Sequence, residues 1–233
     1  MHLLYRITLL LCVTLLFSGC SALGGKSSAE KVAETKANVD WSYAKDGIWI
    51  ELASDIDLNF YANQSHALVL GVWQVGDEKV FVKLLTDRSA LSSAMATGNL
   101  PKDILQLDRF VIQPDTRLTL KLDRVQGAKY VGLVAGYYSF DAARSVRYFR
   151  IPLNIKSSGL ISKDYTAEPS VLALRLLLGS QRIANAESLT YDAEKKVVLE
   201  TVPLSNEKLE INLSPSVLNQ AARESSSVIK LGQ

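Results

Sequence analysis

A chain of 233 residues, 48% hydrophobic and 21% charged, is sized and composed for one globular core with at most an appendage. Its formal net charge of +2 gives no basic footprint, so no nucleic-acid partner is expected. The cysteines are Cys12 and Cys20, both near the N-terminus, which leaves the body without a disulfide or a thiolate zinc site.

Arg6 followed by the apolar run from Ile7 to Phe17 reads as a signal peptide, because the run is shorter than the roughly 20 residues that cross a bilayer. Leu16-Phe17-Ser18-Gly19-Cys20 resembles the bacterial lipobox, in which small residues precede a cysteine that becomes the acylated first residue. The resemblance implies removal of residues 1–19 and lipidation of Cys20, with Ser21, rather than an aspartate, favouring export to the outer membrane. Several acyl chains on one cysteine anchor stably, since each buried CH₂ contributes about 0.8 kcal/mol. Residues 20–40 are small or charged and read as a tether with room for one helical turn.

The body begins at Asp46-Gly47 with a strand whose Ile48, Ile50 and Leu52 share one face while Trp49 and Glu51 take the other. From Ser54 to His66 runs a polar loop around Phe60-Tyr61, two rings that either fold back onto the body or are presented for binding. Ala67 to Val75 reads as a second strand. Val80 to Leu85 extends a strand or opens a helix, and Ser89 to Met95 reads as helical.

Between Leu105 and Leu153 four short strands follow one another. Gln113-Pro114-Asp115-Thr116 turns the chain after the first, and Leu118, Leu120 and Leu122 alternate with polar residues in the second. Val125-Gln126-Gly127-Ala128 turns it again before the apolar run from Tyr130 to Phe140, and Ser145 to Leu153 forms the last. Strands joined by turns this short are expected to be antiparallel neighbours.

The order of these blocks resembles the TssJ family, the outer-membrane lipoproteins of type VI secretion systems. The resemblance covers roughly Gly47 to Leu153 and rests on Leu58-Asn59, Val72-Trp73-Gln74-Val75, Asp108 to Pro114 and Lys129 to Tyr138. Asp115 stands where the family usually has glycine, and Arg147-Tyr148-Phe149-Arg150 lacks the family's common tryptophan. The resemblance implies a mainly β fold, a transthyretin-like two-sheet antiparallel β-sandwich with short helices, over residues 41–156. It also implies that the loop between the first two strands binds the periplasmic domain of the inner-membrane protein TssM. The expected partner-binding residues are Asp57, Leu58, Asn59, Phe60, Tyr61, Asn63 and Gln64, because large rings ringed by amide and carboxylate groups have hot-spot composition.

Ser157-Ser158-Gly159 marks a boundary, and residues 157–233 read as a small α+β extension to which no motif assigns a role. Glu168-Pro169 before Val171 to Leu178 and Gly179 after it favour a helix there, although Leu172, Leu174, Leu176 and Leu178 also alternate like a strand. A hairpin over residues 189–202, a strand from Leu209 to Leu213 and a terminal helix capped by Ser214-Pro215 are expected beyond it.

Catalytic chemistry finds little to work with. His2 lies in the leader and His66 stands alone in the first loop, and no Gly-x-Ser-x-Gly, His-Glu-x-x-His or Walker motif occurs. Ser28-Ala29-Glu30-Lys31 and Ser205-Asn206-Glu207-Lys208 match Ser-x-x-Lys in polar settings that cannot bury a lysine. Asp55-Ile56-Asp57-Leu58-Asn59 begins like a calcium loop, but Phe60 and His66 replace the glycine and glutamate such a loop needs. No enzyme activity, metal, cofactor or small-molecule substrate is therefore expected. The leading expectation is a lipid-anchored tether, lying on the periplasmic face of the outer membrane, for an envelope-spanning partner. The alternative is a periplasmic carrier or accessory lipoprotein that binds a small ligand or client protein.

Overall fold

The computed structural model describes residues 25–160, 162–190 and 228–231. The signal peptide, Cys20 and Ser21 lie outside these residues, as do nearly all of the expected 189–202 hairpin, the strand from Leu209 and the terminal helix. In chain order, α1 (Ser28–Ala37) precedes β1 (Ala44–Ser54), β2 (Leu68–Val75), α2 (Glu78–Thr86), α3 (Arg88–Thr97), β3 (Ile104–Ile112), β4 (Arg117–Arg124) and β5 (Tyr130–Ala135). Then come the short α4 (Ala142–Ser145), β6 (Val146–Arg150), β7 (Leu153–Ser158), β8 (Asp164–Pro169), β9 (Leu172–Leu178), β10 (Ile183–Ser188) and β11 (Val228–Leu231). The described chain divides into two compact units, one of residues up to Asn38 with Ile155–Ala167, the other of Val39–Asn154 with the residues from Glu168 on.

The larger unit is a mainly β sandwich. One sheet has the order β10-β9-β1-β4, the other β11-β3-β2-β5-β6. Period-two alternation places Ile48, Ile50 and Leu52 of β1, Leu118, Leu120 and Leu122 of β4, and the four alternate leucines of β9 in one core. Leu70, Val72, Phe110, Ile112, Val131 and Leu133 meet them from the second sheet. Buried Gln74 ties the sheets together, donating to Asp123 O at 2.8 Å and accepting from Val125 N at 2.9 Å. Such a pairing satisfies a side chain that would otherwise be costly to bury.

The β2 strand is buried on both faces, unlike an ordinary strand of a solvated sandwich. Its outward Trp73 and Val75 form a second core with Phe81 and Leu84 of α2 and Leu91 and Ala94 of α3, so Val80 to Leu85 is a helix that roofs the sheet. The roof sits close because Gly132 has no side chain: a Cβ there would lie 2.3 Å from Phe81 Cζ. Asp77 and Asp87 cap the two helices, and Arg109 donates to Ala96 O at 2.8 Å at the C-terminal end of α3.

The four expected strands from Leu105 to Leu153 are present, but only the last two are neighbours. β3 and β4 lie in different sheets, and so do β4 and β5. The turns at Gln113 to Thr116 and Val125 to Lys129 carry the chain across the core instead of folding it back on itself. β4 pairs antiparallel with β1, and β5 with β2. Asp115 has φ +52°, a left-handed conformation that aspartate tolerates better than most residues and glycine tolerates best.

Three readings are corrected. Leu172–Leu178 is a strand, not a helix, and it pairs parallel with β1 along its whole length, from Ile48 opposite Leu172 to Ser54 opposite Leu178. The 157–233 segment is therefore not an appendage throughout: β9 and β10 complete one sheet and β11 pairs with β3 at the edge of the other. The 20–40 segment also holds more than a single helical turn. In the smaller unit Ser27 and Glu30 make a reciprocal capping box for α1. Lys31 Nζ then reaches Ser162 Oγ and Lys163 O, both at 3.1 Å, beside the two-stranded β7-β8 sheet.

Candidate functional site

The loop after β1 is held from inside. Leu58 is fully buried, and Asn59, only 7% exposed, donates to Ala67 O at 3.1 Å and accepts from Tyr138 N at 2.8 Å. Asn59 has φ +49°, a region asparagine enters at lower cost than most residues. Of the seven expected binding residues, these two are supports rather than surface.

Beyond Asn59 the chain makes a tight hairpin. Tyr61 and Gln64 exchange both backbone hydrogen bonds at 3.1 Å, and the residues between them, Ala62 and Asn63, both have positive φ, as a type I′ turn requires. The turn carries Tyr61 into a three-ring stack. His66 lies 3.7 Å from it on one side and Tyr138 4.2 Å on the other, each within 14° of parallel. Tyr138 closes the stack and is 71% exposed, while Phe60, next to Tyr61 in sequence, is 36% exposed. Ile56, 65% exposed, adds an aliphatic side chain from the same loop, and Asp57, Asn63 and Gln64 are exposed too. Phe60 and Tyr61 thus divide the two roles that the sequence left open: one ring faces solvent and the other is packed between neighbours.

The brace for this surface comes from the C-terminal residues. Leu178 O accepts from Asp55 N at 2.8 Å, Ser180 O from Phe60 N at 3.0 Å, and Arg182 O from the Tyr137 hydroxyl at 2.6 Å. Burial pushes the Tyr137 hydroxyl well above its ordinary pKa, which keeps it protonated as that donor. On the opposite side Ser54 accepts from Thr116 N at 2.8 Å and Asp55 O from Asp115 N at 3.1 Å. Sequence reasoning missed Tyr138 and the β9-β10 turn. The pair Tyr137-Tyr138 was a visible signal, one ring ending the apolar run of β5 and the next left to a loop.

No grouping of histidine, cysteine and carboxylate side chains able to hold a metal occurs among the described residues, and none of their helices is long and apolar enough to cross a membrane. What the fold and loop define is a β-sandwich with aromatic surface at one end and a helical roof over one sheet. Residues 47–166 match the family T6SS-SciN, described as type VI secretion lipoprotein, VasD, EvfM, TssJ. The chain belongs to this type VI secretion lipoprotein family.

Solved structures of similar fold include the T6SS lipoprotein TssJ1 from Pseudomonas aeruginosa, 20% identical over 64% of this chain and 98% of that one, with a TM-score of 0.43. Serratia marcescens Lip, titled a membrane bound component of the type VI secretion system, is 18% identical over 67% of this chain and 99% of its own, with a TM-score of 0.42. A structure titled for the TssM C-terminal domain from EAEC is 16% identical over 62% and 98%, with a TM-score of 0.39. No curated protein matches the chain.

Proposed function

We propose that this lipoprotein is anchored in the outer membrane through an acylated Cys20, faces the periplasm, and holds the periplasmic domain of a TssM-like inner-membrane protein. Family membership over residues 47–166 carries the reading. The exposed ring of Tyr138, with Phe60 and Ile56, supports it as a contact surface, since apolar side chains presented on a braced scaffold bind without paying to order a loop. The role asks for adhesion and no bond-making, so the protein acts as a scaffold and not as an enzyme. Co-purification tests it: the mature protein should retain the partner's periplasmic domain on a column, and a Phe60→Ala, Tyr138→Ala variant should release it. Failure of the wild-type protein to retain that domain would contradict the tether.

A further inference from the structure

Between α3 and the chain leaving β5 lies a cleft of about 360 Å³, lined by Arg88, Leu91, Ser92, Met95, Val134, Tyr137 and Phe140 with Gly136. It is about twelve times the 30 Å³ share of one liquid water molecule, room for roughly ten heavy atoms of a ligand.

The helix sorts its lining into two stripes. Leu91 and Met95, four residues apart, turn inward against Val134 and Phe140, while Arg88 and Ser92, also four apart, are exposed along the rim. Arg88 makes no ion pair or hydrogen bond among the described residues. The neighbouring carboxylates are committed elsewhere: Asp87 accepts from Ala90 N at 2.9 Å as the cap of α3, and Asp141 accepts from Arg144 N at 3.2 Å as the cap of α4. Tyr137 gives its hydroxyl to Arg182 O and so offers the cleft its ring.

The inner wall contains a methionine beside a buried indole. The point that a Cβ on Gly71 would occupy is 2.5 Å from Met95 Sδ and 2.7 Å from Trp73 Nε1. The thioether therefore rests beside an indole N–H that is fully buried and has no hydrogen-bond partner. Met95 is only half-buried where it packs against the second core, and its unbranched, flexible chain can move aside for a guest.

We propose that this cleft binds a single-chain amphiphile with an anionic head, of which a medium-length fatty-acid carboxylate is the simplest case. Its head meets Arg88 and Ser92 at the rim, where the charge keeps part of its water, and its chain lies along Leu91, Met95, Val134 and Phe140. The site does not depend on the tethering role.

The test uses the chain from Ser21 onward, made without acyl groups, titrated with decanoate by calorimetry and followed through the indole N–H resonance of Trp73. Saturable binding at one site is expected, with a shift of that resonance as Met95 moves. Decanol should bind about tenfold more weakly, and Arg88→Gln should weaken decanoate by about tenfold while Arg88→Lys retains it. Ser92→Trp, at an exposed position that leaves the core intact, should block the mouth and abolish binding. The proposal is overturned if decanoate shows no saturable binding, or if it binds Arg88→Gln and Ser92→Trp as it binds the wild-type chain.

Discussion

Asn59 accepts the backbone N–H of Tyr138 at 2.8 Å and so joins the loop after β1 to the loop after β5. Two segments far apart in sequence present one surface because this amide side chain, buried and held at positive φ, spans them.

Asn59→Ala should therefore behave as a stability mutation with a local consequence. It removes two hydrogen bonds, leaves Ala67 O and Tyr138 N without their partner, and puts a less tolerant residue at φ +49°. A loss of about 1–3 kcal/mol in denaturant unfolding is expected, and Asn59→Gly should lose less than Asn59→Ala because it relieves the backbone. Equal losses in both variants would mean that the backbone conformation contributes nothing.

Gly132→Ala tests the helical roof. The added methyl would overlap the Phe81 ring, so an overpacking cost of about 1–3 kcal/mol is expected in the same measurement. Phe81→Leu should recover part of it in the double variant, though it costs stability alone. Simple additivity of the two changes would show that the contact between Gly132 and Phe81 is not what limits the packing.

The sandwich should not survive truncation after Ser157. Without β9 and β10, β1 loses its parallel partner and the core loses Leu172, Leu174, Leu176, Leu178 and Ile183. The truncated chain should lack a cooperative thermal transition, and Leu174→Ala in the full chain should cost about 2–5 kcal/mol. A cooperative transition near the wild-type temperature in the truncated chain would show that the sheet closes without β9.

These cases show what the sequence could and could not disclose. Alternation at Ile48, Ile50 and Leu52 and at Leu118, Leu120 and Leu122 made strands legible because one face of each is core and the other is not. The same alternation was present from Leu172 to Leu178, but a proline before it and a glycine after it imitate the ends of a helix. What decides in favour of the strand is pairing with β1, a contact no local pattern encodes. Sheet assignment was hidden for the same reason, since a short turn can fold a chain back or carry it across a core. At the site, Phe60 and Tyr61 were legible as aromatic residues in a polar loop. Which of them faces water depends on Tyr138 and His66, and the support given by Asn59 depends on a backbone N–H from another loop.

Cys20→Ser removes the proposed acyl acceptor. Loss of radiolabelled palmitate incorporation and of outer-membrane fractionation is expected, with the chain left soluble or uncleaved. Ser21→Asp should leave the lipid in place and hold the protein in the inner membrane. Normal outer-membrane fractionation of Cys20→Ser would set the lipid anchor aside.

The tether itself is tested most directly by titrating the periplasmic domain of the TssM-like partner against the wild-type protein and its Phe60→Ala, Tyr138→Ala variant, with circular dichroism on both. The expected result is saturable binding that weakens by roughly thirtyfold or more in the variant, a loss of about 2 kcal/mol, with the fold unchanged. Absence of binding by the wild-type protein, or an unchanged dissociation constant in a folded variant, would contradict the assignment of this surface to the partner.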